Sequence, residues 1–262
     1  MLNKSIGWMR PQSMGVAVTL LIAALVPCTD AKADIILGVA GSFAVLGGSA
    51  VTNTGPSVIT GDLGLSPGSS VTGFGPGVVI GGVIHISNGV AAQAQLDAVA
   101  AYNLLADLPV TVDLTGVDLG GLTLTPGVYF FSSSAQLTGM LTLDGLGQAD
   151  PLFVFQIGST LTTASASSVI LLNGADACDV FFQVGSSATL GTNTAFIGTI
   201  IALASDTLNT GATVNGHVFA LNGAVTLDSN TITACTVPAP SAGAALAGAG
   251  LLAFRRRCRT TN

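Results

Sequence analysis

The dipeptide Thr-Leu returns at Thr123, Thr142, Thr160, Thr189, Thr207 and Thr226. Four of the five intervals agree to within one position, and only the step from Thr160 to Thr189 is longer. No other feature of the chain constrains its fold so tightly. A short unit repeated at this interval cannot bury an apolar face alone, so successive units must stack and cover one another. The long interval is one ordinary interval with a further segment added, and it contains Asn173, Gly174, Ala175, Asp176, Ala177, Cys178 and Asp179. That segment reads as a polar bulge on an otherwise regular coil.

The repeats agree beyond the dipeptide. Thr160-Leu161-Thr162-Thr163, Thr189-Leu190-Gly191-Thr192, Thr207-Leu208-Asn209-Thr210 and Thr226-Leu227-Asp228-Ser229 share one pattern. Phe155-Gln156-Ile157-Gly158-Ser159 and Phe182-Gln183-Val184-Gly185-Ser186 precede two of them. Short β-branched runs separated by Gly, Asn and Ser are strands with corners between them. A coil as long as the ordinary interval holds three such strands. The expected fold is therefore mainly β, a solenoid of roughly triangular section.

One segment departs from this pattern. Ala91, Ala94, Ala98, Ala101, Tyr102 and Leu105 recur at helical spacing, Asn88 is a suitable N-cap, and Pro109 is a stop. The spacing predicts one helix over residues 88–108, about 30 Å long. Six coils at about 4.8 Å each reach nearly the same height. The helix is expected to lie along the solenoid, with its alanines against the apolar strands around Val154, Phe181 and Ile200. Residues 35–87 are also strand-like and Gly-rich but share no evident register with the later repeats. They read as further coils with a cap.

Charge excludes several functions. All seven Lys and Arg are Lys4, Arg10, Lys32, Arg255, Arg256, Arg257 and Arg259, so residues 34–237 contain no basic side chain except His85 and His217. The same stretch carries twelve of the thirteen acidic residues, every one Asp. Nucleic-acid binding needs cations against phosphate, and phosphoryl chemistry needs them too. No triad can be assembled around the two histidines. The pairs Asp113 with Asp118 and Asp176 with Asp179 lie in loop-like sequence and read as solvated carboxylates. Neither an enzyme, a small-molecule substrate, a cofactor nor a metal is expected.

The termini point to export. Lys4 and Arg10 precede an apolar run over residues 14–26, and Ala31-Lys32-Ala33 supplies a small-x-small cleavage site. Residues 1–33 thus read as a signal peptide, with a retained membrane anchor as the alternative. Residues 34–236 form the expected domain. Residues 237–262 place Val237-Pro238-Ala239-Pro240 before a small-residue apolar run and an arginine cluster, a stop-transfer arrangement. This tail resembles the exosortase sorting signal, which reads Pro-Glu-Pro, helix, arginines; Ala239 stands where that motif has Glu. A membrane tether that is never cut is the other reading. Either places the protein outside the cell or on its surface. There, Cys178 and Cys235 are economically read as a disulfide.

Several longer motifs are specific. They are Leu37-Gly38-Val39-Ala40-Gly41-Ser42-Phe43, then Ser49-Ala50-Val51-Thr52-Asn53-Thr54-Gly55-Pro56, then Gly61-Asp62-Leu63-Gly64-Leu65-Ser66-Pro67-Gly68, with Gly121-Leu122-Thr123-Leu124-Thr125-Pro126-Gly127. Together with the Phe-Gln repeats they resemble the microbial ice-binding family over residues 35–235. That resemblance implies a discontinuous, right-handed β-solenoid flanked by one long helix. It also implies an ice crystal as the partner, bound through a flat face rather than a pocket.

Strand alternation suggests which residues such a face would present. With Leu161, Leu190, Leu208 and Leu227 pointing inward, Thr160, Thr189, Thr207 and Thr226 point outward, and Thr162 and Asn209 are among their outward neighbours. Thr192, Thr194, Thr210 and Thr213 are the next candidates should that face not bind, and Thr210-Gly211-Ala212-Thr213 resembles a tendency of the family. A structural or adhesive surface solenoid without ice activity is the alternative.

Overall fold

A computed structural model describes residues 37–235 of the chain. The signal-like and sorting-like segments lie outside the described residues. Three parallel sheets of nine, seven and eight strands form the three walls of a solenoid. The inward residues of all three walls meet in one core. Within it, Tyr129, Phe155, Phe182 and Phe196 form a ladder, with the Phe155 and Phe182 rings 4.4 Å apart and 6° from parallel. The repeated Phe-Gln motif is thus a core rung.

The stack does not follow chain order. Strands Phe43–Gly47, Ala50–Thr54 and Val58–Thr60 pair with Val218–Ala220, Ala224–Asp228 and Thr231–Thr233. The last coil therefore closes onto the first. The helix carries the chain back along the solenoid between the two blocks of coils. The strands between residues 43 and 86 do share a register with the later repeats, but it is one that only tertiary pairing reveals.

The helix spans Gly89–Ala106, and the Asn88 side chain accepts from the Ala91 amide, 2.9 Å away. Ala91, Ala94, Ala98, Ala101 and Leu105 are buried, most of them in a second apolar cluster against the outer side of the nine-stranded sheet. Leu46, Phe219, Ile201, Phe181, Val154 and Val128 supply the sheet side of that cluster, one from each of six successive strands. Ile201, not Ile200, faces the helix, while Ile200 lies in the solenoid core. Both are apolar, so alternation gave no sign of which one faced out. Gln156 fixes the far end of the helix by donating to the carbonyls of Leu105 (2.7 Å) and Leu108 (2.9 Å).

Coil length is less uniform than the dipeptide suggests. Thr189 pairs with Thr207 across one coil of the ordinary length. Thr162 pairs with Thr189, and Gln136 with Thr162, across coils that are both distinctly longer. The surplus lies in two loops at one corner, residues 145–152 and 173–179, held together by Gly145 N to Leu172 O (3.0 Å) and Asn173 Nδ2 to Asp144 Oδ1 (2.8 Å). Cys178 in the second loop is bonded to Cys235, 57 residues away, which ties the insertion to the end of the fold. At the corner entering the nine-stranded sheet, Gly61, Gly198 and Gly216 have φ of 121°, 121° and 143°. A Cβ on Gly216 would come within 2.1 Å of the Gly198 carbonyl, so only glycine fits that stacked corner.

Candidate functional site

One wall is covered by the helix, which among the described residues leaves the seven- and eight-stranded sheets open. On the seven-stranded sheet the register aligns Gln136, Thr162, Thr189, Thr207, Thr226, Thr52 and Thr72 as one outward column. The residues flanking them in each strand are mostly apolar and buried, including Leu161, Leu190, Leu208, Leu227 and Val51. Six threonines in six neighbouring strands stand about 4.8 Å apart. Thr is stiff at its branched Cβ, so the column is a fixed row of methyl and hydroxyl groups.

Thr162, rather than Thr160, stands beside Thr189. Thr160 lies two residues earlier, where its hydroxyl donates to Ser134 Oγ at 2.8 Å. Neighbouring hydroxyls at that edge bind backbone: Ser187 and Ser205 accept from the amides of Ser205 (3.4 Å) and Ala224 (3.2 Å). Thr123 and Thr142, the first two members of the repeat, pair with each other on the eight-stranded sheet. Thr52 and Thr72 were missed because they precede the helix and carry no Thr-Leu signature.

Other proposed positions scatter. Asn209 and Thr210 are exposed at the corner after the column. The Thr210 hydroxyl donates to Asp228, whose carboxylate also accepts from Ser229 Oγ at 3.1 Å. That carboxylate is thereby held in the corner, in a hydroxyl network. Thr192 is half-buried in a turn, with its carbonyl accepting from Ala166. Thr194 is buried and bonded to Thr163 Oγ1 at 2.8 Å, so it presents nothing to solvent. Thr213 is exposed on the other open wall, in a column with Met140, Ser168, Ala195, Thr231, Val58 and Val78. That column is chemically mixed, unlike the threonine row.

The polar groups considered for catalysis have structural work. Asp113 accepts from the Thr115 amide, and Asp176 from the Cys178 amide. Burial pushes the Asp118 carboxyl up, but hydrogen bonds from Gly120 and Thr138 outweigh it and hold the group below the ordinary carboxylate range. Asp118 thus stays anionic beyond Gln136, at the edge of the threonine sheet. Burial lowers the His217 pKa, and its ring nitrogens contact Phe43 O (2.6 Å) and Cys235 Sγ (3.3 Å). Among the described residues no cluster of three His, Cys, Asp or Glu is placed to hold a metal.

A threonine column on a wall of stacked coils, beside the one α-helix of the described residues, defines a β-solenoid. The chain belongs to the ice-binding-like family, whose model matches residues 45–233. It is 60% identical to the ice-binding protein of Nostoc sp. (strain HG1), covering 88% of this chain and 91% of that one. The crystal structure of an ice-binding protein from an Antarctic biological consortium matches with a TM-score of 0.75 at 50% identity, over 78% of this chain and 92% of that chain. That of the Antarctic ascomycete Antarctomyces psychrotrophicus matches with a TM-score of 0.75 at 46% identity, over 77% and 98%.

Proposed function

We propose that this chain adsorbs to ice through the outer face of its seven-stranded sheet, with Thr162, Thr189, Thr207, Thr226, Thr52 and Thr72 as the central contact row. The observation that carries the reading is the continuity of that row across six neighbouring strands. Methyl groups at a fixed repeat restrain water laterally, while hydroxyls anchor it by hydrogen bonds. Each contact is weak. A rigid wall makes many at once, and side chains already held in one rotamer lose little freedom on binding.

Charge fits adsorption to ice without choosing between the open walls. Lysines and arginines would place mobile, strongly hydrated cations beside the ordered layer, and residues 34–237 contain neither. Asn209 and Thr210 extend the site to the corner. Thr160 supports the row through Ser134, and Thr192 and Thr213 lie outside it. The outcome is depression of the freezing point, inhibition of recrystallisation, or both. Such a protein is not an enzyme. It works outside the cell or at its surface, with the signal-like and tail segments directing it there.

The test is freezing hysteresis of the exported chain and of Thr189→Tyr with Thr207→Tyr. Loss of hysteresis with unchanged circular dichroism supports this face. Retained hysteresis moves the site to the eight-stranded sheet, and an unmodified chain with no ice activity leaves only the adhesive or structural reading.

A further inference from the structure

Cys235 has a second neighbour besides its disulfide partner. His217 Nε2 stands 3.3 Å from Cys235 Sγ, and His217 Nδ1 stands 2.6 Å from the Phe43 carbonyl oxygen. A carbonyl only accepts, so Nδ1 carries the ring proton and Nε2 turns a bare lone pair toward the sulfur. A disulfide sulfur has no proton to donate. The lone pair, on a side chain 1% exposed, therefore meets a donor only when Cys235 is a thiol.

The backbone holds this pair independently of the bond. His217 leads into strand Val218–Ala220, which pairs with Phe43–Gly47, and its carbonyl accepts from the Ile200 amide at 2.8 Å. Cys235 follows strand Thr231–Thr233, and the neighbouring Ala234 amide donates to Thr60 O at 2.9 Å. Thiol and imidazole therefore stay together when the disulfide is open. Burial lowers the His217 pKa, which keeps the ring neutral and able to take a proton. Cys178, in the loop of residues 173–179, is half-buried, whereas Cys235 is buried. A disulfide reagent from solvent reaches Cys178 first.

We infer that His217 is the general base that closes the Cys178–Cys235 bond, with a disulfide oxidant, RSSR, as the co-reactant. The Cys178 thiolate attacks RSSR, forming the mixed disulfide Cys178–S–SR and releasing RS⁻, which takes a proton from solvent. The Cys235 thiol then passes its proton to His217 Nε2 while its sulfur attacks Cys178 Sγ. The Cys178–SR bond breaks, RS⁻ leaves with the electron pair, and the imidazolium returns the proton to it. Two thiols are oxidised to one disulfide and RSSR is reduced to two RSH. A buried thiol ionises reluctantly, so the second step is slow without a base. The bond from His217 to Phe43 spans 174 residues, so the base is set only once the last coil has closed on the first. The disulfide thus seals a finished fold, and this holds whichever wall meets ice.

The exported full chain, reduced in the cold and mixed with oxidised glutathione, tests this when acid-quenched samples are read by mass spectrometry. His217→Asn is the variant, because its amide nitrogen can still donate to Phe43 O but offers no base to Cys235. The mixed disulfide at Cys178 should form at the same rate in both chains, and its closure should slow about a hundredfold in the variant. Equal closure rates in two chains folded by circular dichroism overturn the inference, as does a mixed disulfide that forms on Cys235 first. If the variant does not fold, ring-nitrogen NMR shifts of the unmodified, reduced chain decide the matter. A bare Nε2 accepting the Cys235 thiol proton supports the inference, and a proton carried on Nε2 overturns it.

Discussion

Thr52 and Thr226 lie 174 residues apart in sequence, yet their hydroxyl oxygens are 3.4 Å apart on neighbouring strands of the open seven-stranded sheet. The contact joins two rows that the helix separates in the chain, one before it and one at its end. It makes a single column of what would otherwise be two short ones.

Thr52→Tyr is therefore expected to reduce ice activity as severely as Thr207→Tyr, although it lies outside the repeat. On the proposed face the added ring stands above the threonine row and holds it off the ice surface. Thr52 and Thr207 are half-buried and point out of the sheet, and substitutions at such surface positions change stability by about 0.5 kcal/mol. Thr213→Tyr on the other wall serves as the control and should leave hysteresis unchanged. Equal losses from Thr52→Tyr and Thr213→Tyr, read with a nanolitre osmometer, would show that neither wall is the specific site.

Asp206 points into the core from the same sheet, in register with Ala188 and Val225, and neither carboxylate oxygen has a partner. Desolvation pushes its pKa well above the ordinary carboxylate range. The folded state keeps a proton that the unfolded state releases, so stability falls as pH rises from the ordinary carboxylate range toward the raised folded value. Asp206→Val should raise the melting temperature at neutral pH, by about 1–3 kcal/mol of stability, and flatten that pH dependence. Calorimetry at acid and neutral pH reads both effects, and a variant that melts lower at neutral pH would refute the assignment.

Gln156 ties sheet to helix. It is buried, and its amide donates to the carbonyls of Leu105, Ala106 and Leu108 at the helix end. Its counterpart in the next rung, Gln183, bonds the Tyr102 hydroxyl, whose pKa burial pushes up. Gln156→Leu leaves those carbonyls without a donor and should cost about 1–3 kcal/mol. Hydrogen exchange should then show earlier opening of the last helical turn, while the threonine wall keeps its protection. Uniform loss of protection over the whole domain would show that helix and solenoid unfold as one unit.

The helix was legible in the sequence because its signals are local: a cap, a stop and alanines at helical spacing. Thr189, Thr207 and Thr226 were legible because each lies one true coil from the next. Thr160 was placed one register step wrong. The dipeptide interval isolates the insertion at residues 173–179 but gives no sign of the one at 145–152, which lengthens the coil before it. Thr52 and Thr72 belong to the column only through pairing across the chain discontinuity, and no interval within the sequence encodes that. Ile200 and Ile201 show the same limit on a smaller scale: a wall apolar on both sides loses the alternation that tells inside from outside.

The disulfide between Cys178 and Cys235 closes a loop of 57 residues. In the chain-entropy account a cross-link of that span stabilises by about 4 kcal/mol, through the unfolded chain. It sits at the corner where the second insertion meets the end of the fold, beside the buried His217 and away from the threonine column. Cys178→Ala with Cys235→Ala should therefore lower the melting temperature markedly, and reduction of the unmodified chain should do the same. Hysteresis near the freezing point should survive, because the column is held by its own ladder of strands rather than by the bond. A double variant that melts normally would show that the insertion is anchored by its backbone hydrogen bonds alone. One that stays folded in the cold yet loses hysteresis would show that the corner sets the planarity of the wall.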